Sequence, residues 1–395
     1  MKIVRRAAVG AVTFATTAAI TTLSVPAPAI TAPVLTTLTA SSRASVQATS
    51  ALSLPGLTGR YAVGRNTLHL VDPQRVDPWV PQSGPRQSMV DVYYPALAGT
   101  GAPAPYLSTT EAAALINYAG LSGTLAPTTL ADTHTWTRAN AVPLPGRYPL
   151  VMLSPGFSVP RYTLTSLAED LSSQGFVVAT VDHAYESVAT RFPSGMLPCA
   201  ACEQYTAGSI SQEQIVASRA QDVSFLLTAL TSPHPVWRYA RIINPAKIGM
   251  AGHSVGGDAT VATMLADPRI LAGVDLDGPI TPPVPATGIG RRPVLLVAAA
   301  DPSSPDILPT WTSSWPTLDG WRRWLTVAGA DHYTFTDLDY LVNASGVLSI
   351  PDAPRSIAIT TTYVGAFFER QLNGIPEPLL DGTSNAFPEV SFTNP

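Results

Sequence analysis

Gly252-His253-Ser254-Val255-Gly256 follows a short apolar run and precedes a stretch of small residues. A serine hydroxyl is a weak nucleophile until a tight strand-to-helix turn presents it to a base, and G-x-S-x-G is the pattern of such a turn. Gly252 and Gly256 leave room for strand and helix to approach and tolerate backbone angles that a Cβ would forbid. Residues 248–251 read as a strand and residues 258–266, rich in Ala, Met and Leu, as a helix. Ser254 therefore reads as the nucleophile at the apex of an elbow.

Acyl transfer at such a serine also needs a base, a carboxylate to fix the base's tautomer, and backbone N–H donors for the oxyanion. Histidines stand at 69, 134, 183, 234, 253 and 332. With the chain order Ser, acid, His of α/β-hydrolases, only His332 follows the serine with an acid between. His253 neighbours the nucleophile, so its side chain is expected to point away, and His183 is expected behind the site or at the surface. Two acids compete. Asp301 follows the run 294–297, the position most α/β-hydrolases use, but prolines 302 and 305 obscure its path. Asp277 lies one strand earlier and is followed by Gly278, which permits a sharp exit. The oxyanion donors are expected to be the N–H of Val255, directly after the nucleophile, and of Phe157, at the end of Ser154-Pro155-Gly156-Phe157.

The elements that must position these groups are legible as runs. Residues 148–153, 176–181 and 293–297 are apolar stretches, as expected of strands buried on both faces of a mostly parallel sheet, and residues 270–277 follow the elbow as a further run. Residues 67–71 and 89–94 alternate and read as partly exposed opening strands. Helices are expected over 164–171, closing at Gly175, over the stripe Ile215, Val216, Val223, Leu226, Leu227 and Leu230, and over 357–372, stopping at Asn373-Gly374. Strand, helix, strand spacing implies right-handed parallel crossovers, and each candidate side chain falls just past a strand's carboxyl end, where ligands of open α/β sheets collect. The segment 184–210 is too long for a connector and reads as a lid. Residues 105–140 are weakly helical and carry no functional signal.

The 395 residues carry a net charge of -4 with 13% charged residues and show no repeat, which argues against nucleic-acid binding. Lys2, Arg5 and Arg6, an apolar run and Ala27-Pro28-Ala29 read as a signal peptide over residues 1–29, hence a secreted protein. Residues 30–54, dominated by Thr, Ala, Ser and Pro, read as a disordered linker, leaving 55–395 as a single domain. In an exported chain the two cysteines, Cys199 and Cys202, fit a local disulfide better than a redox or metal site.

Asp72-Pro-Gln-Arg75, Val92-Tyr-Tyr-Pro95, Ser154-Pro-Gly-Phe157, Gly175-Phe-Val-Val178 with Asp182-His183, Gly252-His-Ser-Val-Gly-Gly257, Leu276-Asp-Gly278 and His332-Tyr-Thr-Phe335 together resemble the platelet-activating-factor acetylhydrolase-like esterases. The resemblance runs from about Gly59 to Asp339 and implies an α/β-hydrolase fold. It also implies hydrolysis of short or oxidised acyl esters by a Ser-Asp-His triad without cofactor or metal. The family's acid sits at Leu-Asp-Gly, which favours Asp277 over Asp301. Where the family often has His-Gly in the oxyanion loop, this chain has Pro155-Gly156, so only the backbone donor carries over. A small-molecule ester or lipid is the expected partner, with contact to a lipid surface, and the chain is expected to be a monomer. Rival readings are a cutinase-like polyester hydrolase or lipase, and an inactive binding protein on a hydrolase fold.

Overall fold

The computed structural model describes residues 51–300, 307–350 and 352–393. The expected signal peptide, the linker up to residue 50 and the alternative acid Asp301 lie outside the described residues. In chain order the strands are β1 (Ala62–Val76), β2 (Pro85–Ala96), β3 (Ala102–Pro103), β4 (Thr137–Ala139), β5 (Tyr148–Ser154), β6 (Val177–His183), β7 (Thr190–Phe192), β8 (Gly195–Leu197), β9 (Ile243–His253), β10 (Ala272–Leu276), β11 (Val294–Ala299), β12 (Arg322–Val327) and β13 (Val390–Thr393). β7 and β8 form a hairpin; the others form one sheet in the order β13-β12-β11-β10-β9-β5-β6-β2-β1-β4-β3. From β6 to β12 every neighbouring pair is parallel. The apolar runs of the sequence are these central strands.

A strand's side chains alternate between faces, so one apolar run serves two cores. In β5, Leu150 and Met152 pack with Val223 and Leu226 of the helix Gln212–Thr231 and with Val261 and Met264 of the helix Val255–Ala266. Val151 and Leu153 face the opposite core, with Leu167 and Leu171 of the helix Thr165–Gln174 and with Tyr363 and Phe367 of the helix Ala353–Phe368. All four β5 side chains are fully buried, and each such apolar side chain contributes about 1.5–3 kcal/mol. The helix starting at Gln212 has a reciprocal cap between Ser211 and Gln214, and Gly175 ends its helix at φ 115°.

Some expectations need correction. β2 alternates in sequence yet is buried along almost its whole length, because Val90, Val92 and Tyr94 pack in the core on one face of the sheet and Tyr93 in the core on the other. β13, an antiparallel edge strand on β12, was not read from the sequence; four residues are too short to show a period. The linker boundary is too late. Leu52 and Leu54 are buried, and Leu54 N–H donates to His134 O at 2.9 Å while His134 N–H donates to Leu52 O at 2.7 Å.

The stretch 105–140 builds a satellite core. Its helices Thr109–Tyr118 and Pro127–Ala131 bury Leu115, Ile116 and Leu130 against Leu52, Leu54 and Tyr162. Asp337, 1% exposed, ties this layer to the helix Thr165–Gln174 by accepting from Tyr106 O–H at 3.2 Å and from Ser166 N–H at 3.3 Å. Burial pushes its carboxyl up to about 7, against the pull of those hydrogen bonds. The folded chain thus holds a proton that an unfolded Asp, at about 3.9, has released, so this contribution to stability is lost as pH rises from about 4 through about 7. Asp337→Asn should flatten the fall in melting temperature over that window and leave the variant at least as stable as the parent above it. A parent-like slope would contradict the assignment. Glu169, buried beneath Thr137 and likewise raised to about 7 by burial, keeps part of the slope in the variant.

Candidate active site

Ser254 joins β9 to the helix Val255–Ala266 with φ 56° and ψ -126°. The two motif glycines are needed for contact: a Cβ on Gly252 would stand 2.0 Å from Gly256 O, and one on Gly256 would stand 2.0 Å from Ser154 O. The left-handed residue is Ser254 itself, so the angle tolerance expected of the glycines is not what the turn uses. Such a backbone costs on the order of 1–3 kcal/mol and persists only when its surroundings hold it. Ser254 N–H donates to Leu276 O at 2.9 Å, and Gly257 and Asp258 N–H donate to Ser254 O at 2.8 and 3.1 Å.

His332, on the loop after β12, is brought to this turn. Ser254 Oγ lies 2.9 Å from its Nε2, and Asp277 Oδ2 lies 2.6 Å from its Nδ1. With Nδ1–H donating to the carboxylate, Nε2 is left to accept the serine proton. Asp277 directly follows β10 at φ 54°; its N–H donates to Val297 O and its Oδ1 accepts from Ala299 N–H, each at 2.9 Å. The carboxylate is 1% exposed and the imidazole 22%, so the relay runs from a fixed, dry acid to an accessible base.

Val255 opens its helix and Phe157 ends the turn after β5. Among the described residues neither backbone N–H has an acceptor, and the helix N-terminus adds positive partial charge beside Val255. The Phe157 ring meets Tyr205 edge-on at 5.8 Å and, with Trp79, Tyr185, Ile210 and Val255, forms one apolar cluster. The segment 184–210, read as a lid, supplies three of these residues. It folds as the β7-β8 hairpin and the helix Ala200–Thr206, and Cys199 and Cys202 are joined by a disulfide.

His253 is closer to the chemistry than its sequence position suggests. Its Nε2–H donates to the backbone carbonyl of His332 at 2.6 Å, and the two rings lie 4.7 Å apart. Burial, then His332, push its pKa down to about 3, so it is a neutral donor that holds the base's loop.

His183 lies behind the site, in a buried ionic network the sequence did not reveal. Arg86 donates to Asp77 Oδ2, Glu186 Oε1 and Asp222 Oδ2 at 2.9, 2.7 and 2.8 Å, and Arg219 Nε donates to Glu186 Oε2 at 2.7 Å. His183 Nδ1–H donates to Asp222 at 2.7 Å while its Nε2 lies 3.2 Å from Ser154 Oγ. This second Ser-His-Asp order has no reacting face, since Ser154 is fully buried and Arg86 already holds the acid. Burial, then Arg219, keep His183 below its ordinary pKa, hence neutral. His183, Glu186 and Asp222 also bring three donor atoms within 4.8 Å, but the guanidinium groups of Arg86 and Arg219 fill the carboxylate positions a cation would need. Removing one partner from such a network costs about 3–5 kcal/mol.

A mostly parallel sheet carrying a serine elbow after β9, an acid after β10 and a histidine after β12 defines an α/β-hydrolase. The comparisons agree. The family described as platelet-activating factor acetylhydrolase, isoform II, matches residues 46–222, a stretch that ends before Ser254. A protein of Arthroderma benhamiae, named a probable 1-alkyl-2-acetylglycerophosphocholine esterase, is 30% identical over 273 residues, which is 62% of this chain and 66% of that protein. The platelet-activating factor acetylhydrolase of Cavia porcellus is 27% identical over 33% of this chain and 35% of its own. The chain thus spans just under two thirds of the first curated relative and about a third of the second. A solved ferulic acid esterase from Streptomyces cinnamoneus is 38% identical with a TM-score of 0.77, covering 87% of this chain and 100% of that one. The chain is an esterase of the α/β-hydrolase fold and is similar to the platelet-activating factor acetylhydrolases.

Proposed function

We propose that this chain is an exported, monomeric serine hydrolase of carboxylic esters that works through an acyl-enzyme. The observation that carries the reading is the relay from Ser254 Oγ to His332 Nε2 at 2.9 Å and from His332 Nδ1 to Asp277 Oδ2 at 2.6 Å. Ser254 attacks the ester carbonyl as His332 takes its proton, and the tetrahedral oxyanion faces the N–H groups of Val255 and Phe157. His332 then protonates the departing alkoxide and later activates water against the acyl-serine. Asp277 keeps the imidazole in the tautomer that accepts at Nε2. No metal or organic cofactor enters any step.

Short-acyl or phospholipid-type esters are the proposed substrates, supported by the names of the curated relatives, with the enzyme meeting lipid at a surface. A second reading has its own support. Trp79, Phe157, Tyr185 and Tyr205 give the wall beside Val255 an aromatic character suited to a planar acyl group, and the solved relative is named for ferulic acid. Measuring kcat/KM on 4-nitrophenyl acetate, a 2-acetyl phospholipid analogue, methyl ferulate and a suspended polyester separates these. Preference for the 2-acetyl phospholipid supports the first reading, preference for methyl ferulate the second, and turnover of polymer alone a cutinase-like enzyme. No turnover of any ester would contradict the proposal.

A further inference from the structure

The loop that carries the second oxyanion donor is held from behind by one buried cation. Arg219 projects from the helix Gln212–Thr231 and is 1% exposed. Its Nη1 donates to Pro155 O at 2.5 Å and to Ser154 Oγ at 3.3 Å, and its Nη2 makes a longer contact to Gly156 O at 3.5 Å. Its Nε is fixed by Glu186, which Arg86 and Trp79 hold in turn at 2.7 and 2.9 Å.

A trans peptide is planar, so the carbonyl of Gly156 and the N–H of Phe157 point in opposite directions. Drawing the carbonyls of 155 and 156 toward a guanidinium behind the loop turns the Phe157 N–H away from it, to the side where, among the described residues, no acceptor meets it. The cation also polarises the peptide groups it binds, making the opposed N–H a stronger donor. Pro155 has no N–H to draw the loop into a competing turn. The loop abuts the elbow as well: a Cβ on Gly256 would stand 2.0 Å from Ser154 O and 2.7 Å from Pro155 O.

We propose that Arg219 is a positioning residue for ester hydrolysis, orienting the Phe157 N–H toward the developing oxyanion by holding the carbonyls of Pro155 and Gly156; this rests on the esterase reading above. A lysine at 219 keeps the charge opposite Glu186, but its single ammonium cannot span Glu186 and both carbonyls. Sulfur accepts hydrogen bonds poorly, so a thionoester draws less on the donors than its oxoester, and the oxo-to-thiono ratio of kcat reports their alignment.

Losing one oxyanion donor outright costs about 10²–10³ in kcat, so a misaligned donor in Arg219→Lys should cost about 10–100-fold on the oxoester. KM should change little, and the oxo-to-thiono ratio should fall by about tenfold. Arg219→Met paired with Glu186→Gln removes cation and anion together, which avoids a buried unpaired carboxylate, and should give the same fall in ratio. A parent-like kcat in Arg219→Lys, or a lower kcat with an unchanged ratio in both folded variants, would overturn the proposal and leave Arg219 as scaffold. Loss of oxoester turnover in Ser254→Ala with activity in the parent keeps the esterase reading intact in that event. A parent inactive on the oxoester would sink both.

Discussion

Alanine in place of Ser254 is expected to lower kcat by about 10⁶-fold, the scale on which removing a triad nucleophile acts. What remains is the oxyanion donors and binding. The fold should survive, because the turn is fixed by backbone groups that alanine keeps: Ser254 N–H to Leu276 O, and Gly257 and Asp258 N–H to Ser254 O. Alanine inherits the φ of 56° and is strained as serine is, so its melting temperature should stay within a few degrees of the parent's. Residual turnover above about one per cent of the parent, in a preparation free of parent enzyme, would contradict a nucleophilic Ser254.

Asparagine at 277 is expected to cost about 10⁴ in kcat, the scale set by the same change in chymotrypsin-type proteases. Here the reason can be read atom by atom. Oδ1 accepts from Ala299 N–H, so an asparagine would keep its amide oxygen there and turn its NH₂ toward His332 Nδ1. The imidazole would then accept at Nδ1 and carry its proton on Nε2, where it faces Ser254 Oγ and can no longer take the serine proton. Asp301→Asn should be mild by comparison. A severe loss at 301 with a mild one at 277 would reverse the assignment.

The site was more legible than its support. Ser254 and His332 follow from a local motif and from chain order, whereas Asp277 is favoured over Asp301 by the sharp exit that Gly278 permits together with the Leu-Asp-Gly resemblance. The pairing of Asp277 with His332 depends on β10 and β12 lying on either side of β11, which no local pattern encodes. The network behind the oxyanion loop had one overlooked signal. Arg219 and Asp222 fall on the apolar stripe of Ile215, Val216, Val223 and Leu226, and charges at buried positions demand partners. Those partners, Arg86 and Glu186, lie far off in the chain, so spacing alone could not supply them. The contact of His253 with the backbone of the base is hidden for a related reason, since its place beside the nucleophile says nothing of which loop it meets. Residues 105–140 gave only a weak period because they form two short helices beside a small separate core and a three-residue strand, β4.

The central claim is that one serine, activated by His332, does the chemistry. Peptide mapping by mass spectrometry after treatment with a fluorophosphonate tests it most directly, since the reagent needs an activated serine and leaves a stable adduct. The account predicts one adduct per chain, on Ser254, absent from Ser254→Ala. Adducts on another serine such as Ser154, or undiminished labelling of the alanine variant, would contradict it.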